Sequence, residues 1–308
     1  MSSWLPPASE IPKNFMDVWR KEIPEITEGR VMIDVLPKPL GPPPKHLGFL
    51  ERGEVDLTYS LHNYSKDRFF RARVGQFSFL GDSFSISQAF SRVYRTLLGA
   101  DAQHPGIELL AVFQHGPGVL MLKDREVRTP DDFRGLKLRT AGGYVGNLIT
   151  DLGGESRPMS PFAVAQALAD GEIDGVAFPY EAGPAFKVVD QVTSVSELPG
   201  GYYNATWFLG MSQSAAARIE PRDLTAIKSY SSSIAHVLAA KAFDFADFRG
   251  KETMQAAGVD VVPASDDVIA AVRAAAEGYE EGWHRQLAED GFDGRFALEL
   301  MRELTGQW

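Results

Sequence analysis

The sequence predicts an α/β fold, and the stretch over residues 131–180 carries most of that prediction. Apolar and charged residues alternate over 136–139, which indicates a short strand. The glycine-containing segment 141–143 permits a tight exit into a helix. Another helix is predicted over 162–169, and a second strand follows over 173–178. Because strands that alternate with helices form βαβ units, this stretch predicts a parallel sheet.

The composition is that of an ordinary globular protein. The chain has 308 residues, of which 44% are hydrophobic and 23% are charged, and this length suits two domains or one large domain. It carries 31 basic and 41 acidic residues without a basic block, which argues against a nucleic-acid partner. No apolar run reaches the ~18 residues that a membrane span needs. Cysteine is absent, which excludes disulfides and thiolate metal sites.

The first part of the chain alternates between predicted helices and strands. Ser9 is a suitable cap for a helix that runs to about Glu25. Alternating apolar residues then predict a strand from Arg30 to Leu36. The next predicted elements are a helix over 45–52, a strand over 55–61, a helix over 87–98, and strands over 107–113 and 119–122.

The part of the chain after residue 200 begins with an aromatic-rich strand and continues mainly as helix. The predicted elements are a strand over 202–211, a helix over 224–248, a strand over 259–262, a helix over 265–287, and a last helix from Asp293 to about Leu304. No repeat or low-complexity linker separates two halves of the chain. Any domains are therefore expected to be discontinuous and joined by several crossings.

No catalytic or metal-binding motif stands out. The chain lacks G-x-S-x-G, H-E-x-x-H and the phosphate-binding loop motif, and its six histidines show no metal-ligand spacing. We therefore predict no catalytic residues, no metal and no cofactor. A glycine pattern over 142–146 opens a helix after a strand, which suits either an anion at the helix N-terminus or simply a tight turn.

Arg139 is the main candidate for a ligand contact. Ligands of parallel α/β sheets lie beyond the C-terminal ends of the strands, and Arg139 and Phe178 each occupy such an end. A guanidinium held there offers a rigid fork of donors that fits a carboxylate. The competing interpretation is a surface ion pair, which is common for arginine.

Aromatic residues crowd the segments around these strand ends. We expect some of these aromatic residues to contact a ligand and the others to pack in the core. They are His62, Tyr64, Phe178, Tyr180, Tyr202, Tyr203 and Trp207. Aromatic faces bind apolar rings and also cations. Asn204 lies within the aromatic strand, and Glu181 is placed to pair with an amine. His115 follows another strand, and its side chain has either a buried structural role or a contact with the ligand.

Several motifs, in this order and spacing, resemble the DctP family, the solute-binding proteins of tripartite ATP-independent periplasmic (TRAP) transporters. Residues 132–139 read D-F-R-G-L-K-L-R, residues 152–154 read L-G-G, residues 167–171 read A-L-A-D-G, and residues 174–175 read D-G. The proline that the family places soon after L-G arrives late here, at Pro158. The resemblance extends over nearly the whole chain.

The resemblance implies a two-lobed fold like that of periplasmic binding proteins. Each lobe is then a mixed, mainly parallel sheet flanked by helices, with the ligand cleft between the lobes. The expected domains are residues 1–123 with 211–251 and residues 124–210 with 252–308, with hinge strands near 118–124 and 206–212.

The resemblance also implies a function. A member of this family captures a small organic acid by hinge closure and delivers it to membrane permease subunits. We accordingly expect a monomer in the periplasm whose native signal peptide is absent from this chain. In related proteins the arginine that corresponds to Arg139 binds the substrate carboxylate, and a second arginine often lies upstream, where Arg125 or Arg128 stands here.

The expected ligand class follows from a departure from the family pattern. Some members carry an asparagine where this chain has Phe178, which disfavours sialic-acid-like and sugar-acid ligands here and favours a monocarboxylate with an apolar or aromatic body. Two other functions stay open. One is the binding of an amine or zwitterion by the aromatic residues and Glu181. The other is an enzyme that acts on a small acid with Glu181 and His115 as an acid–base pair.

Overall fold

The computed structural model describes residues 1–65 and 68–306, and this part of the chain folds into two sheets with helices packed around them. The strands are β1 (Leu57–Leu61), β2 (Ile107–Gln114), β3 (Val119–Leu122), β4 (Lys137–Thr140), β5 (Glu155–Pro158), β6 (Gly175–Phe178), β7 (Ser194–Glu197), β8 (Thr206–Ser212) and β9 (Asp260–Pro263). The helices are α1 (Asp17–Ile26), α2 (His46–Glu51), α3 (Ser83–Thr96), α4 (Tyr144–Asp151), α5 (Val164–Ala169), α6 (Ala182–Ala185), α7 (Gln213–Ala216), α8 (Pro221–Tyr230), α9 (His236–Ala256), α10 (Asp266–Glu289) and α11 (Gly294–Thr305). The predicted two-lobed α/β fold is confirmed, with one sheet in each lobe.

The first sheet has β8 at its centre, between β1 and β2. All residues of β8 are buried, and the strand runs antiparallel to both neighbours. The direction of these strands differs from the mainly parallel sheet that we expected in this lobe. The physical reason is that β8 is not the product of a βαβ unit but returns to this sheet from the other lobe. A parallel bridge between Ser2 and Thr58 lies beside β1.

The strand predicted from Arg30 to Leu36 does not form. Two main-chain contacts tie this segment to the chain start: the Met1 amino group donates to the Asp34 carbonyl at 2.7 Å, and the Leu36 amide donates to the Met1 carbonyl at 2.9 Å. Met32 is 75% exposed. The alternating pattern therefore reflects a segment that touches the protein on one side without a continuous hydrogen-bonded ladder.

The second sheet is mixed, in the order β5-β4-β6-β3-β7-β9. β4 runs parallel to β5 and to β6, as the βαβ pattern predicted, and β7 runs parallel to β9. β3 runs antiparallel to β6 and β7, and its first residue, Val119, pairs with Phe178 at the end of β6. The start of β3 and the C-terminal ends of β4 and β6 therefore meet at one edge of the sheet.

Two segments that cross between the sheets meet at this edge. Residues 115–118 connect β2 to β3, and residues 198–205 connect β7 to β8. The segments pair as an antiparallel bridge, in which the Gly118 amide donates to the Tyr203 carbonyl at 2.8 Å. A Cβ atom on Gly118 would lie 2.1 Å from the Tyr203 ring, so only glycine fits here. The first crossing overlaps the hinge strand predicted near 118–124 at Gly118, and the second directly precedes the one predicted near 206–212, since β3 and β8 each belong to a single sheet.

The long helix α9 provides a third connection between the lobes. It packs against α3 and β2 of the first lobe and against α6 of the second. Its Gly250 lies against the Tyr180 carbonyl, where a Cβ atom would approach to 2.4 Å. The domain boundary predicted at residue 251 therefore falls inside a continuous helix. None of the helices within residues 1–65 and 68–306 has the length and hydrophobicity to span a membrane.

Candidate ligand-binding site

A cavity lies between the two sheets, directly beside the crossing segments. Its volume is about 40 Å³. Seven of the residues predicted near a ligand line it: Tyr64, His115, Arg139, Phe178, Glu181, Tyr203 and Trp207. The other lining residues are Trp4, Leu5, Leu61, Ala141, Pro161, Pro179, Ala182, Phe186 and Ala205. The described part of the wall is therefore mainly aromatic and aliphatic, with one cation and one carboxyl group.

Arg139 supplies the cation from the end of β4. It is only 2% exposed, and its Nε and Nη2 atoms donate to the Met159 carbonyl at 3.0 and 2.9 Å. Its guanidinium carbon lies 4.7 Å from the centre of the Phe178 ring. Among the residues that the structure describes, no carboxylate lies within 4.0 Å of this guanidinium. Burial lowers the pKa of Arg139, and the nearby Tyr64 and Tyr203 oppose that shift.

The Arg139 side chain is therefore a buried positive charge that has hydrogen bonds but no counterion within residues 1–65 and 68–306. Arginine stays protonated in proteins, so burial does not neutralise it. A buried charge is costly unless an opposite charge compensates it. The arrangement favours an anion in the cavity.

Aromatic rings of the second lobe extend outward from Arg139. Phe178 is stacked on Phe186, with ring centres 5.5 Å apart and an angle of 27° between the planes. Phe186 in turn packs edge to face with Phe162, with ring centres 5.3 Å apart. Phe186 follows α6 and had no predicted role. Its position depends on how α6 packs, which no local pattern of the sequence reports.

The first lobe provides a second aromatic wall. Trp207 of β8 is stacked on Trp4, with ring centres 5.2 Å apart and nearly parallel planes. The ring centres of Trp4 and Tyr64 lie 6.4 Å apart. The sequence placed Trp4 only near the chain start, and its packing against β8 is a tertiary contact between residues about two hundred positions apart.

The crossing segments supply His115 and Tyr203, whose rings meet edge to face at 5.5 Å. The Nδ1 atom of His115 lies 2.5 Å from the Gly116 carbonyl oxygen. Burial lowers the pKa of His115 to about 4, so this imidazole is neutral at pH 7. Burial likewise raises the pKa of Tyr203. Both side chains therefore face the cavity uncharged.

Glu181 is the one carboxyl group among the described residues of the cavity wall, and it lies close to a second carboxyl group, Asp247 of α9. The Glu181 amide donates to Asp247 Oδ1 at 2.9 Å, and the Ser83 hydroxyl donates to Asp247 Oδ2 at 3.1 Å. Burial, and then the neighbouring Asp247, raise the pKa of Glu181 to about 8. Burial also raises the pKa of Asp247 to about 7. Glu181 is therefore largely protonated at pH 7.

Two of the predicted contacts point away from the cavity. His62 is buried among aromatic rings of the first lobe, with its Nε2 atom 3.0 Å from that of His104. Asn204 donates through its side-chain amide to the Phe77 carbonyl at 3.4 Å. It follows Tyr203 directly along an extended segment, where neighbouring side chains point to opposite sides.

Arg125 also lies away from the cavity, as an exposed residue. It follows the C-terminal end of β3, whereas the cavity lies at the N-terminal end of that strand, where Val119 pairs with Phe178. This position does not support the expectation that Arg125 assists Arg139. Because β3 runs antiparallel to β6, residues that follow it lie at the opposite edge of the sheet. Arg128, three residues farther on, is also exposed.

The described residues contain no group of three or more histidine, aspartate or glutamate side chains arranged to hold a metal ion.

Comparisons with known proteins agree with this architecture. Residues 1–286 match the model of the bacterial extracellular solute-binding proteins, family 7 (DctP). The fold is similar to that of a TRAP periplasmic solute-binding protein from Bordetella bronchiseptica, solved with bound (R)-mandelate and (S)-mandelate. The TM-score is 0.94 at 31% identity, and the match covers 99% of this chain and 97% of that chain.

Two further relatives extend the comparison. A TRAP solute-binding protein from Rhodoferax ferrireducens T118, in complex with copurified benzoate, matches with a TM-score of 0.89 at 26% identity and covers 99% of this chain and 96% of that chain. The outer membrane transporter protein TsaT of Comamonas testosteroni is 24% identical over 305 residues, which are 98% of this chain and 90% of that protein. Since the family model spans nearly the whole chain, this protein belongs to the DctP family of bacterial extracellular solute-binding proteins, which serve TRAP transporters.

Proposed function

We propose that this TRAP solute-binding protein captures a monocarboxylate with an aromatic body between its lobes and presents it to the membrane permease subunits. The observation that carries the proposal is Arg139, a buried guanidinium in an aromatic cavity with no described carboxylate beside it. The ligand carboxylate completes the ion pair, and the rings of Phe178 and Trp207 bury the apolar body of the ligand.

The ligands of the relatives support this ligand class. The Bordetella bronchiseptica protein holds mandelate and the Rhodoferax ferrireducens protein holds benzoate, and both ligands join one carboxylate to an aromatic ring. The wall around Arg139 offers few groups to pair with the hydroxyls of a sugar acid. An aromatic acid is therefore the better chemical match.

Capture of such a ligand requires the lobes to move. The cavity of about 40 Å³ is far smaller than the ~300–1,000 Å³ typical of small-molecule sites. We infer that the lobes part to admit the ligand and then close around it. Arg139 belongs to the second lobe and Trp207 to the first, so a ligand that contacts both favours the closed state.

The enzyme alternative has little support. Both members of its acid–base pair line the cavity, but the imidazole nitrogen Nδ1 of His115 is already bonded to a main-chain carbonyl, and burial keeps the ring neutral. No hydrogen bond joins His115 to Glu181 among the described residues. Membership of a family of transport binding proteins points the same way.

The amine alternative depends on the charge of Glu181. A cationic ligand needs an ionised carboxylate, and burial together with Asp247 favours the protonated form at pH 7. A protonated Glu181 is instead compatible with an acid bound to Arg139. The two functions therefore predict opposite effects of pH on affinity.

Replacement of Arg139 is the direct test of the anion site. Truncation of one partner of a desolvated charge pair costs ~2–5 kcal/mol, so Arg139→Ala should weaken the binding of mandelate or benzoate by at least about thirtyfold. Arg139→Lys should also bind poorly, because a point charge does not reproduce the fork of donors. Calorimetry measures the affinities. Arg125→Ala is the matched control, since that arginine is exposed and lies at the far edge of the sheet. Near-normal affinity of folded Arg139→Ala would remove Arg139 from the site.

A competition series tests the ligand class. Aryl acids, including 2-hydroxy and 2-oxo acids, should bind better than hexuronates or sialic acid. Each hydroxyl that is buried without a partner costs ~1–3 kcal/mol, which predicts a difference of at least about tenfold. Tight binding of a hexuronate, with no response to any apolar acid, would contradict the proposal.

Small-angle scattering tests the closure. Saturating aromatic acid should reduce the radius of gyration, because the ligand stabilises the state in which both lobes contact it. The same measurement on Arg139→Ala at the same acid concentration should show no reduction. An unchanged radius with proven binding to the wild-type protein would argue for a protein that is already closed.

The pH dependence separates an acid ligand from an amine. Closure around an acid keeps Glu181 protonated, so acid affinity should fall as pH rises toward and through the pKa of about 8. Ionisation of Glu181 would place a negative charge beside the ligand carboxylate. An amine would show the opposite trend and bind more tightly as pH rises through 8. Glu181→Gln should flatten the acid profile, whereas Glu172→Gln, an exposed residue of the same lobe, should follow the wild type.

A further inference from the structure

The indole N–H of Trp207 has no acceptor, unlike those of the other tryptophans that the structure describes. Trp4 Nε1 donates to the Tyr59 carbonyl at 3.1 Å. Trp19 Nε1 donates to Ser231 Oγ at 3.0 Å, and Trp283 Nε1 donates to the Phe70 carbonyl at 2.9 Å. Trp207 is 4% exposed, and its Nε1 atom is buried without a partner among the described residues. Buried donors in proteins are almost always paired, so this exception needs an explanation.

Aromatic rings surround Trp207 within the first lobe. Trp4 is stacked on the indole at 5.2 Å, and Phe113 lies nearly parallel to it at 6.0 Å. Phe113 belongs to β2, while Trp4 also packs against Tyr59 of β1, so the two rings flank the indole from opposite sides of β8. The rings of Tyr59 and Phe243 also lie against the indole at tilted angles, with ring centres 6.0 and 5.9 Å away. Trp207 nevertheless lines the cavity, so the unpaired indole N–H belongs to a residue of the cavity wall.

We propose that the Nε1–H of Trp207 donates a hydrogen bond to an oxygen that the ligand carries in addition to its carboxylate, as in an aryl 2-oxo or 2-hydroxy acid. This inference rests on the proposed function, in which the carboxylate is bound by Arg139. Trp207 then acts as the specificity-determining residue that separates oxygen-substituted aryl acids from simple ones. The two polar contacts come from opposite lobes, so the additional oxygen strengthens the preference for the closed state.

A matched set of ligands and variants tests this role. Phenylacetate and phenylglyoxylate differ by a 2-oxo oxygen, which only accepts hydrogen bonds, and mandelate carries a 2-hydroxyl at the same carbon. The wild-type protein should prefer phenylglyoxylate over phenylacetate by about tenfold, the contribution of one well-placed hydrogen bond. Trp207→Phe keeps an aromatic ring and removes the N–H, and it should reduce that preference to near unity.

Trp4→Phe is the control, because it makes the same change in the stacked partner, whose N–H is already bonded to the Tyr59 carbonyl. It should change the affinity for both acids by the same factor and leave their ratio intact. A preference that survives in Trp207→Phe overturns the inference and leaves the proposed function standing. Equal binding of both acids by the wild type also overturns it. A wild-type protein that binds none of these acids overturns the proposed function and this inference together.

A second readout does not require any variant to fold. In wild-type protein labelled with ¹⁵N-tryptophan, the indole N–H signals are assigned from their through-space contacts. The Trp207 signal should move downfield on saturation with phenylglyoxylate, relative to saturation with phenylacetate, because a new hydrogen bond deshields the proton. The Trp4 signal, whose bond is internal, should show no such difference. An identical Trp207 signal in both complexes would overturn the inference.

Discussion

The buried charge of Arg139 is the constraint on which the rest of the site depends. A guanidinium in this cavity keeps its charge, and the Met159 carbonyl and the Phe178 ring stabilise it only in part. The folded protein therefore contains an incompletely compensated buried charge, which the carboxylate of the proposed ligand would pair with. The aromatic walls strengthen the attraction because they exclude water and lower the local dielectric. A site of this kind discriminates first by charge and then by the shape and polarity of the ligand body.

Much of this arrangement could be predicted from the sequence. Arg139 and Phe178 were placed correctly at one edge because parallel strands bring their C-terminal ends together, and this follows from the βαβ pattern alone. Trp207 and Tyr203 were found through the aromatic-rich segment that contains them. The pattern did not fix which aromatic residues face the ligand, since that depends on the path of the chain between the lobes.

The failures have physical causes too. Trp4 and Phe186 reach the cavity through contacts between distant segments, and no local periodicity encodes such contacts. Asn204 was a candidate because it lies within the aromatic-rich strand, but its side chain bonds to the Phe77 carbonyl on the side opposite to Tyr203, since neighbours in an extended segment point in opposite directions. Arg125 was a candidate because related proteins often carry a second arginine upstream of the one that corresponds to Arg139, and the sequence does not show that β3 runs antiparallel to β6. The direction of a strand in a mixed sheet is set by tertiary packing, and a single sequence reports it poorly.

The bridge between Gly118 and Tyr203 has a kinetic consequence. If the lobes close on a ligand as proposed, the crossing segments form the pivot, and this bridge ties them together, so His115 and Tyr203 move little when the cleft opens. Part of the proposed binding surface then persists in the open state and receives the ligand first. Changes at the pivot would act on the association rate, whereas changes in the walls that separate on opening would act on the residence time. Delivery to a permease would depend on the residence time, so capture and delivery could be adjusted at different residues of one cavity.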